Sequence, residues 1–255
     1  MERIQQSTRS GLLRPVRKVG LAVAAWWPWP ARVSIRNGRR MFVDLRSSIG
    51  RGLFMTGQFD TAVFDPLRRA LQPGGVFLDV GANVGYYTML ALDLVGDRGS
   101  VHAFEMDPRP LRCLRRTVAR EGLPNVFINE VAVGAKDGVA HFRAEMDSGH
   151  SNVETSGQGK AVRMISLDSW RTAQGVRKIQ GIKIDIEGGE LWALQGAEKL
   201  LREERPLLVC EVCEELAARS GYQRDDLLNF LRGLGYEVEP LAETCSPTIV
   251  ARAGC

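Results

Sequence analysis

Asp79, Glu105 and Asp185 each sit in or at the end of a short apolar run, and Gly81 and Gly85 follow the first of them closely. Carboxylates at successive strand tips beside a glycine turn are the makings of a site for a nucleoside that also carries positive charge. Within Gly74-Gly75-Val76-Phe77-Leu78-Asp79-Val80-Gly81-Ala82-Asn83-Val84-Gly85-Tyr86-Tyr87, Val76–Val80 reads as a buried strand and Tyr86–Leu94 as an apolar helix. Gly81, Asn83 and Gly85 make the turn between them, where a bare backbone can approach a ligand. The spacing is Gly-x-x-x-Gly rather than Gly-x-Gly-x-x-Gly. A pyrophosphate wants bare amides at a helix start, and Asp79 would repel it; a cationic ligand is suited by the same carboxylate.

Glu105 lies 24 residues after Gly81, at the tip of the run Ser100–Phe104, where an acid can accept both hydroxyls of a ribose. Ribose recognition alone does not separate a nicotinamide dinucleotide from S-adenosylmethionine. The third acidic tip, Lys183-Ile184-Asp185-Ile186-Glu187-Gly188-Gly189-Glu190, favours the sulfonium compound, whose amino group and sulfur need carboxylates and carbonyls around them. Asp79, Asp185 and the Gly81 region supply these. Asn129 or Glu130, at the next strand tip, is placed for the adenine edge, with an ordinary turn contact as the alternative.

A sulfonium compound can give its methyl group to a nucleophile, and a nucleophile that carries a proton needs an acceptor for it within hydrogen-bond reach. The candidates are Asp185, beside the cofactor, and His150 in Asp147-Ser148-Gly149-His150-Ser151-Asn152, within a polar loop; His150 is also a candidate acceptor contact. His102 and His141 fall in strands and are read as structural. Glu187 and Glu211 are expected on the acceptor side, although Glu187 and Glu190 also begin a helix and suit its dipole. Asp185 with Glu211 could hold a divalent cation, but no tight ligand spacing calls for one, and no metal is expected.

Three motifs together carry a resemblance. Phe77-Leu78-Asp79-Val80-Gly81-Ala82-Asn83-Val84-Gly85-Tyr86-Tyr87-Thr88 resembles the first motif of the FkbM-type methyltransferases, and Val101-His102-Ala103-Phe104-Glu105-Met106-Asp107-Pro108 their second. Ile182-Lys183-Ile184-Asp185-Ile186-Glu187-Gly188-Gly189-Glu190 resembles their Lys-Ile-Asp-x-Glu-Gly signature, the most specific of the three. The likeness runs over about residues 55–240, with Met106 where the family often has Pro. It implies a seven-stranded class I methyltransferase sheet with an antiparallel last strand. It also implies S-adenosylmethionine-dependent O-methylation of a sugar, polyketide or other natural-product hydroxyl.

The elements that must position these residues alternate. Strands are expected at Val76–Val80, Ser100–Phe104, Val126–Val133, Gly181–Ile186, Pro206–Val212, Tyr236–Val238 and Thr248–Val250. Helices are expected at Thr61–Leu71, Gly85–Leu94, Pro108–Arg120, the Leu191–Leu201 stretch and Arg224–Leu234. This pattern predicts an α/β fold, a Rossmann-like, mostly parallel sheet with helices on both faces. Val139–Arg143 and Val162–Leu167 interrupt it as extra strands, with a polar, mobile or lid-like stretch Ala144–Lys160 between. Asn37-Gly38 between Arg32–Arg36 and Met41–Leu45 signals a hairpin. The division expected is an extension over 1–58 and a methyltransferase domain over 59–255.

Residues 1–40 carry nine basic side chains against Glu2 alone, so the +4 chain has a body of net −4 beyond residue 40. That balance argues against a nucleic-acid grip along the body. The arm reads as a solvated end or as a peripheral membrane contact. Val19–Trp27 is too short to span a bilayer, and a helix packed on the main domain is expected there, with Trp26, Trp27 and Trp29 lining an entrance. Five cysteines without framework spacing point to a reducing, cytoplasmic setting, and Cys210-Glu211-Val212-Cys213 falls in a strand where i and i+3 face apart. The competing readings are a nicotinamide-dependent oxidoreductase, against which the loop spacing counts, and a catalytically inactive binding protein.

Overall fold

A computed structural model describes residues 29–144, 151–154 and 159–254. The expected hairpin is present as β1 (Ala31–Ser34) and β2 (Arg40–Val43), antiparallel with Arg32 opposite Phe42 and Ser34 opposite Arg40. A helix that propensity did not announce, α1 (Ser48–Thr56), follows. Ser47 starts it by accepting from the Gly50 amide, and Gly57 ends it in the left-handed region. Thr61–Ala70 is α2, with Pro66 inside it.

The main sheet is built from β3 (Val76–Val80), β4 (Ser100–Phe104), β5 (Val126–Asn129), β10 (Ile179–Ile184), β11 (Leu207–Glu211), β12 (Tyr236–Leu241) and β13 (Thr248–Ala253). Their spatial order is β12-β13-β11-β10-β3-β4-β5, and β13 runs antiparallel to both of its neighbours. The parallel strands β3, β4, β10 and β11 are nearly continuous apolar runs because helices cover both faces. Alternation sorts their side chains. Leu78, Val80, Ile182, Ile184, Leu208 and Cys210 pack toward α6 (Glu190–Gln195), α7 (Glu198–Glu204) and α9 (Arg224–Gly233). Phe77, Val101, Val209 and Val250 pack toward α2, the hairpin and α3 (Tyr86–Val95). Chain order leaves β3 in one direction for β4 and in the other for β10, so the switch point lies at the carboxyl ends of β3 and β10.

Three expectations are corrected. Val126–Val133 is not one strand: β5 ends at Asn129, and β6 (Ala132–Val133) pairs with β9 (Lys160–Ile165) in a separate four-stranded sheet with β7 (Gly138–Ala144) and β8 (Ser151–Glu154). The polar stretch Ala144–Lys160 contains β8, which pairs with β7 despite its composition because β7 offers an open edge. The single helix expected over Leu191–Leu201 is two. Asp168, in α5 (Leu167–Gln174), accepts from the Lys199 and Leu200 amides and so starts α7 afresh. Between β11 and α9 the short α8 (Glu214–Arg219) was also not foreseen, and α4 (Pro108–Glu121) matches expectation. His150, Trp26 and Trp27 lie outside the described residues, and Trp29 is 63% exposed.

Candidate active site

A cavity of about 420 Å³ opens at the switch point, lined by the turn after β3, the tips of β4, β10 and β11, and residues of α1 and α2. Gly81 and Gly85 hold positive φ angles of 79° and 89° at either end of the turn, with Asn83 at 52°. A Cβ on Gly81 would stand 1.8 Å from the Asp185 carbonyl oxygen, so only glycine lets β3 and β10 close up beneath the ligand. The Gly81 and Ala82 amides both donate to the Phe104 carbonyl at 3.0 Å, stitching the turn to the tip of β4.

Glu105 completes that stitching. Its Oε2 accepts from the Asn83 amide at 2.8 Å, and its Oε1 from the Met106 and Asp107 amides at 2.8 and 2.7 Å. Burial pushes its pKa up to about 7, and the backbone amides pull in the other direction. Glu105 therefore shapes the glycine turn as well as facing the cavity.

Asp79 is fully buried within β3 and does not line the cavity. Its Oδ2 accepts from the Thr88 hydroxyl at 2.6 Å, while Oδ1 is buried without a hydrogen-bond partner. Burial raises its pKa, and the Lys183 charge and Thr88 bond oppose that rise. Lys183, which no strand-tip reasoning singled out, is buried with Nζ 3.0 Å from Asp185 Oδ2 and 3.4 Å from the Gly81 carbonyl oxygen. The same ammonium lies 4.9 Å from the Tyr87 ring centroid. Burial works against its charge, but Asp185 and Asp79 outweigh burial and raise its pKa.

Asp185, Glu187 and Glu211 converge on the cavity, and each offers an oxygen within 4.8 Å of the others. A divalent cation could be held at that spacing, although Lys183 already supplies positive charge to Asp185. Burial, and then the nearby Asp185 carboxylate, push Glu211 up to about 9, and its Oε2 is buried without a partner. Glu190 does not share the cavity. It accepts from the Ile186 and Gly188 amides at 3.0 Å and from the Tyr222 hydroxyl at 3.1 Å, fixing the turn that aims Asp185 and Glu187. Asn129 and Glu130 also stand away from the wall: Asn129 accepts from the Trp170 indole at 3.1 Å, and Glu130 pairs with Arg115 on the surface. Asp60 joins the rim, its Oδ2 accepting from the Cys245 amide at 2.8 Å.

Among the described residues, five carboxylates (Asp60, Glu105, Asp185, Glu187, Glu211) and the one cation Lys183 line the cavity. A negative, partly apolar hollow over a glycine cradle fits a nucleoside bearing a sulfonium and an amine, and does not fit a pyrophosphate.

Residues 79–238 match the family model described as the methyltransferase FkbM domain. The chain is 26% identical over 202 residues to the 31-O-demethyl-FK506 methyltransferase FkbM of Streptomyces tacrolimicus, covering 66% of this chain and 75% of that one. A shorter match, 40% identical over 57 residues, links it to a probable cobalt-precorrin-6B C(15)-methyltransferase of Sulfolobus acidocaldarius; it covers 22% of this chain and 30% of the relative. The crystal structure of a methyltransferase FkbM from Methylobacillus flagellatus aligns with a TM-score of 0.50 and 16% identity. That alignment covers 94% of this chain and 60% of the solved one, and it supports the class I methyltransferase fold. With the motif order, the sheet and the family model in agreement, the chain belongs to the FkbM family of S-adenosylmethionine-dependent methyltransferases.

Proposed function

We propose that the chain is an O-methyltransferase that acts on a hydroxyl of a small molecule, a sugar or natural product being the class of acceptor. The supporting observation is the convergence of Asp185, Glu187 and Glu211 on the cavity at the tips of β10 and β11, next to the glycine turn. An alcohol has to lose its proton during attack, and the Asp185 carboxylate in this cluster provides somewhere for it to go. The remaining wall includes Ile49, Phe59, Val63 and Tyr86, which suits an acceptor with apolar surface. The name of the Streptomyces tacrolimicus relative points to an O-linked methyl on a natural product, in line with this reading.

S-adenosylmethionine supplies a methyl carbon already activated by its sulfonium. The chain's own part is to orient, exclude water and take a proton. In this reading Glu105, Asn83 and the glycine turn hold the nucleoside end, and Asp185 with Lys183 faces the reactive end. With the cofactor bound, Asp185 or His150 would take the proton that the acceptor hydroxyl loses. Alignment of this kind is worth about 7–11 kcal/mol at best. The free described cysteines fit a reducing, cytoplasmic setting, and among the described residues no helix is long and apolar enough to cross a membrane.

Isothermal titration with S-adenosylmethionine, its demethylated product and NAD tests the cofactor end. Mass spectrometry of cell extracts incubated with the protein and labelled cofactor tests the acceptor end. Label recovered on nitrogen or carbon, rather than as a methyl ether, would sink the O-methylation reading. A His150→Ala enzyme that keeps its full rate at every pH would leave Asp185 as the base.

A further inference from the structure

The hairpin and α4 build a strongly basic face that the cofactor cavity does not use. Antiparallel register puts Arg32 opposite Phe42 and Ser34 opposite Arg40, so these four side chains share one side of the hairpin. Val33, Met41 and Val43 point the other way, into the core. α4 packs along β2, with the Phe42 amide donating to Thr117 Oγ1 at 2.8 Å. It lays the Arg116 guanidinium 4.5 Å from the Phe42 ring centroid. Arg112, Arg116 and Arg120 recur every fourth residue and form one exposed stripe. Arg32, Phe42, Arg116, Ala119 and Arg120 enclose a shallow hollow there. Glu121 is drawn into a pair with Arg32, and Glu130 with Arg115. Arg40, Arg116 and Arg120 form no ion pair with any described carboxylate.

Two features select the partner. Trp29 is 63% exposed and only three residues before Arg32, so the two lie within about 11 Å along the chain. In the sequence, Trp29 follows Arg14, Arg17 and Lys18 and then the apolar run ending in Trp26 and Trp27. Arginines beside tryptophans are the chemistry of a bilayer interface, where the ring sits at the headgroup level and the cation at the phosphates. A nucleic acid would draw on a longer basic track, and the chain beyond residue 40 is net −4.

We propose that the face formed by Arg32, Arg40, Arg116 and Arg120, continued by Trp29, docks the protein onto an anionic lipid surface. The test is cosedimentation of the full chain with phosphatidylcholine vesicles, with and without phosphatidylglycerol, at low and high salt. Pelleting should require phosphatidylglycerol and fade as salt rises. Arg116→Gln with Arg120→Gln should weaken it about 25-fold, the product of two roughly fivefold losses. Titration with S-adenosylhomocysteine should show an unchanged affinity in that variant. If the variant fails to bind it, Arg40→Gln with Arg120→Gln, which keeps the Arg116 guanidinium over the Phe42 ring, repeats the test. Equal binding to neutral vesicles, no binding to either kind, release from vesicles by competing RNA or DNA, or full binding by the folded variants would each overturn the proposal.

Discussion

Lys183 Nζ lies 3.0 Å from Asp185 Oδ2 and is the charge that opposes the protonation of fully buried Asp79. One ammonium thus serves a carboxylate at the cavity wall and another beneath it. Lys183→Met should weaken S-adenosylhomocysteine binding about tenfold, about 1.4 kcal/mol. It should also destabilise the fold by about 3–5 kcal/mol, because Asp79 loses its counter-charge. Adding Asp79→Asn should restore much of that stability without restoring affinity. Chemical denaturation and calorimetric titration of the two variants separate these effects; additive losses of stability would show that the residues are not coupled.

Gly81→Ala tests whether the turn needs glycine for space or only for conformation. Both Gly74 and Gly81 have positive φ, but a Cβ on Gly74 meets nothing within 4 Å, whereas on Gly81 it meets the Asp185 carbonyl oxygen at 1.8 Å. Gly74→Ala should therefore cost only the conformational strain, about 1–3 kcal/mol. Gly81→Ala should cost more and abolish cofactor binding, since β3 and β10 must part. Equal thermal shifts for the two variants would refute the close-approach account.

The parallel core was legible because its strands are apolar runs closed by acids, and its helices show apolar spacing, as in Leu111, Leu114 and the partly buried Val118. Asn37-Gly38 announced the hairpin for a local reason too. What escaped was set by distant partners. Asp168 restarts a helix 31 residues later, and β8 becomes a strand through its partner β7 rather than its composition. α1 depends on the Ser47 cap and the Gly57 terminator, which are weak signals by themselves.

The site was legible in part for the same reason. Gly81, Asn83, Glu105, Asp185, Glu187 and Glu211 all line one cavity, because strand tips on one edge of a parallel sheet must converge. Depth was not legible. Asp79 lies one residue too far into β3 to reach the wall, and Lys183, two residues before Asp185, turns inward to meet it. Strand alternation with the acid at 185 pointing to the cavity was the signal that could have placed Lys183 on the same side. Asn129 and Glu130 were drawn off by Trp170 and Arg115, contacts that depend on α5 and α4.

Glu105 holds three backbone amides with two oxygens, so replacing either oxygen by an amide nitrogen must orphan at least one of them. Glu105→Gln should cost about 1–3 kcal/mol of stability. It should weaken S-adenosylmethionine binding as well, because the Asn83 turn is released. Glu105→Ala should weaken binding further while the far-ultraviolet circular dichroism stays native. Wild-type affinity in the Gln variant would mean that the turn holds its shape without this carboxylate.

Glu211 makes a pH-dependent prediction with a definite sign. Its folded pKa is pushed up to about 9 by burial and by Asp185, from the ordinary glutamate value of 4.5. Between those values the folded chain keeps a proton that the unfolded chain gives up, so this group's contribution is complete below the unfolded pKa and is lost as pH rises toward 9. Glu211→Gln mimics the protonated form and cannot lose it. The variant should match the wild type in thermal stability near pH 5 and exceed it by a margin that widens up to about pH 9. A cationic ligand favours the ionised carboxylate, so S-adenosylmethionine should release protons on binding the wild type and fewer on binding the variant. Titrations in buffers of different ionisation enthalpy count those protons directly. An equal count in both proteins, or a stability margin that shrinks with rising pH, would place the proton elsewhere than on Glu211.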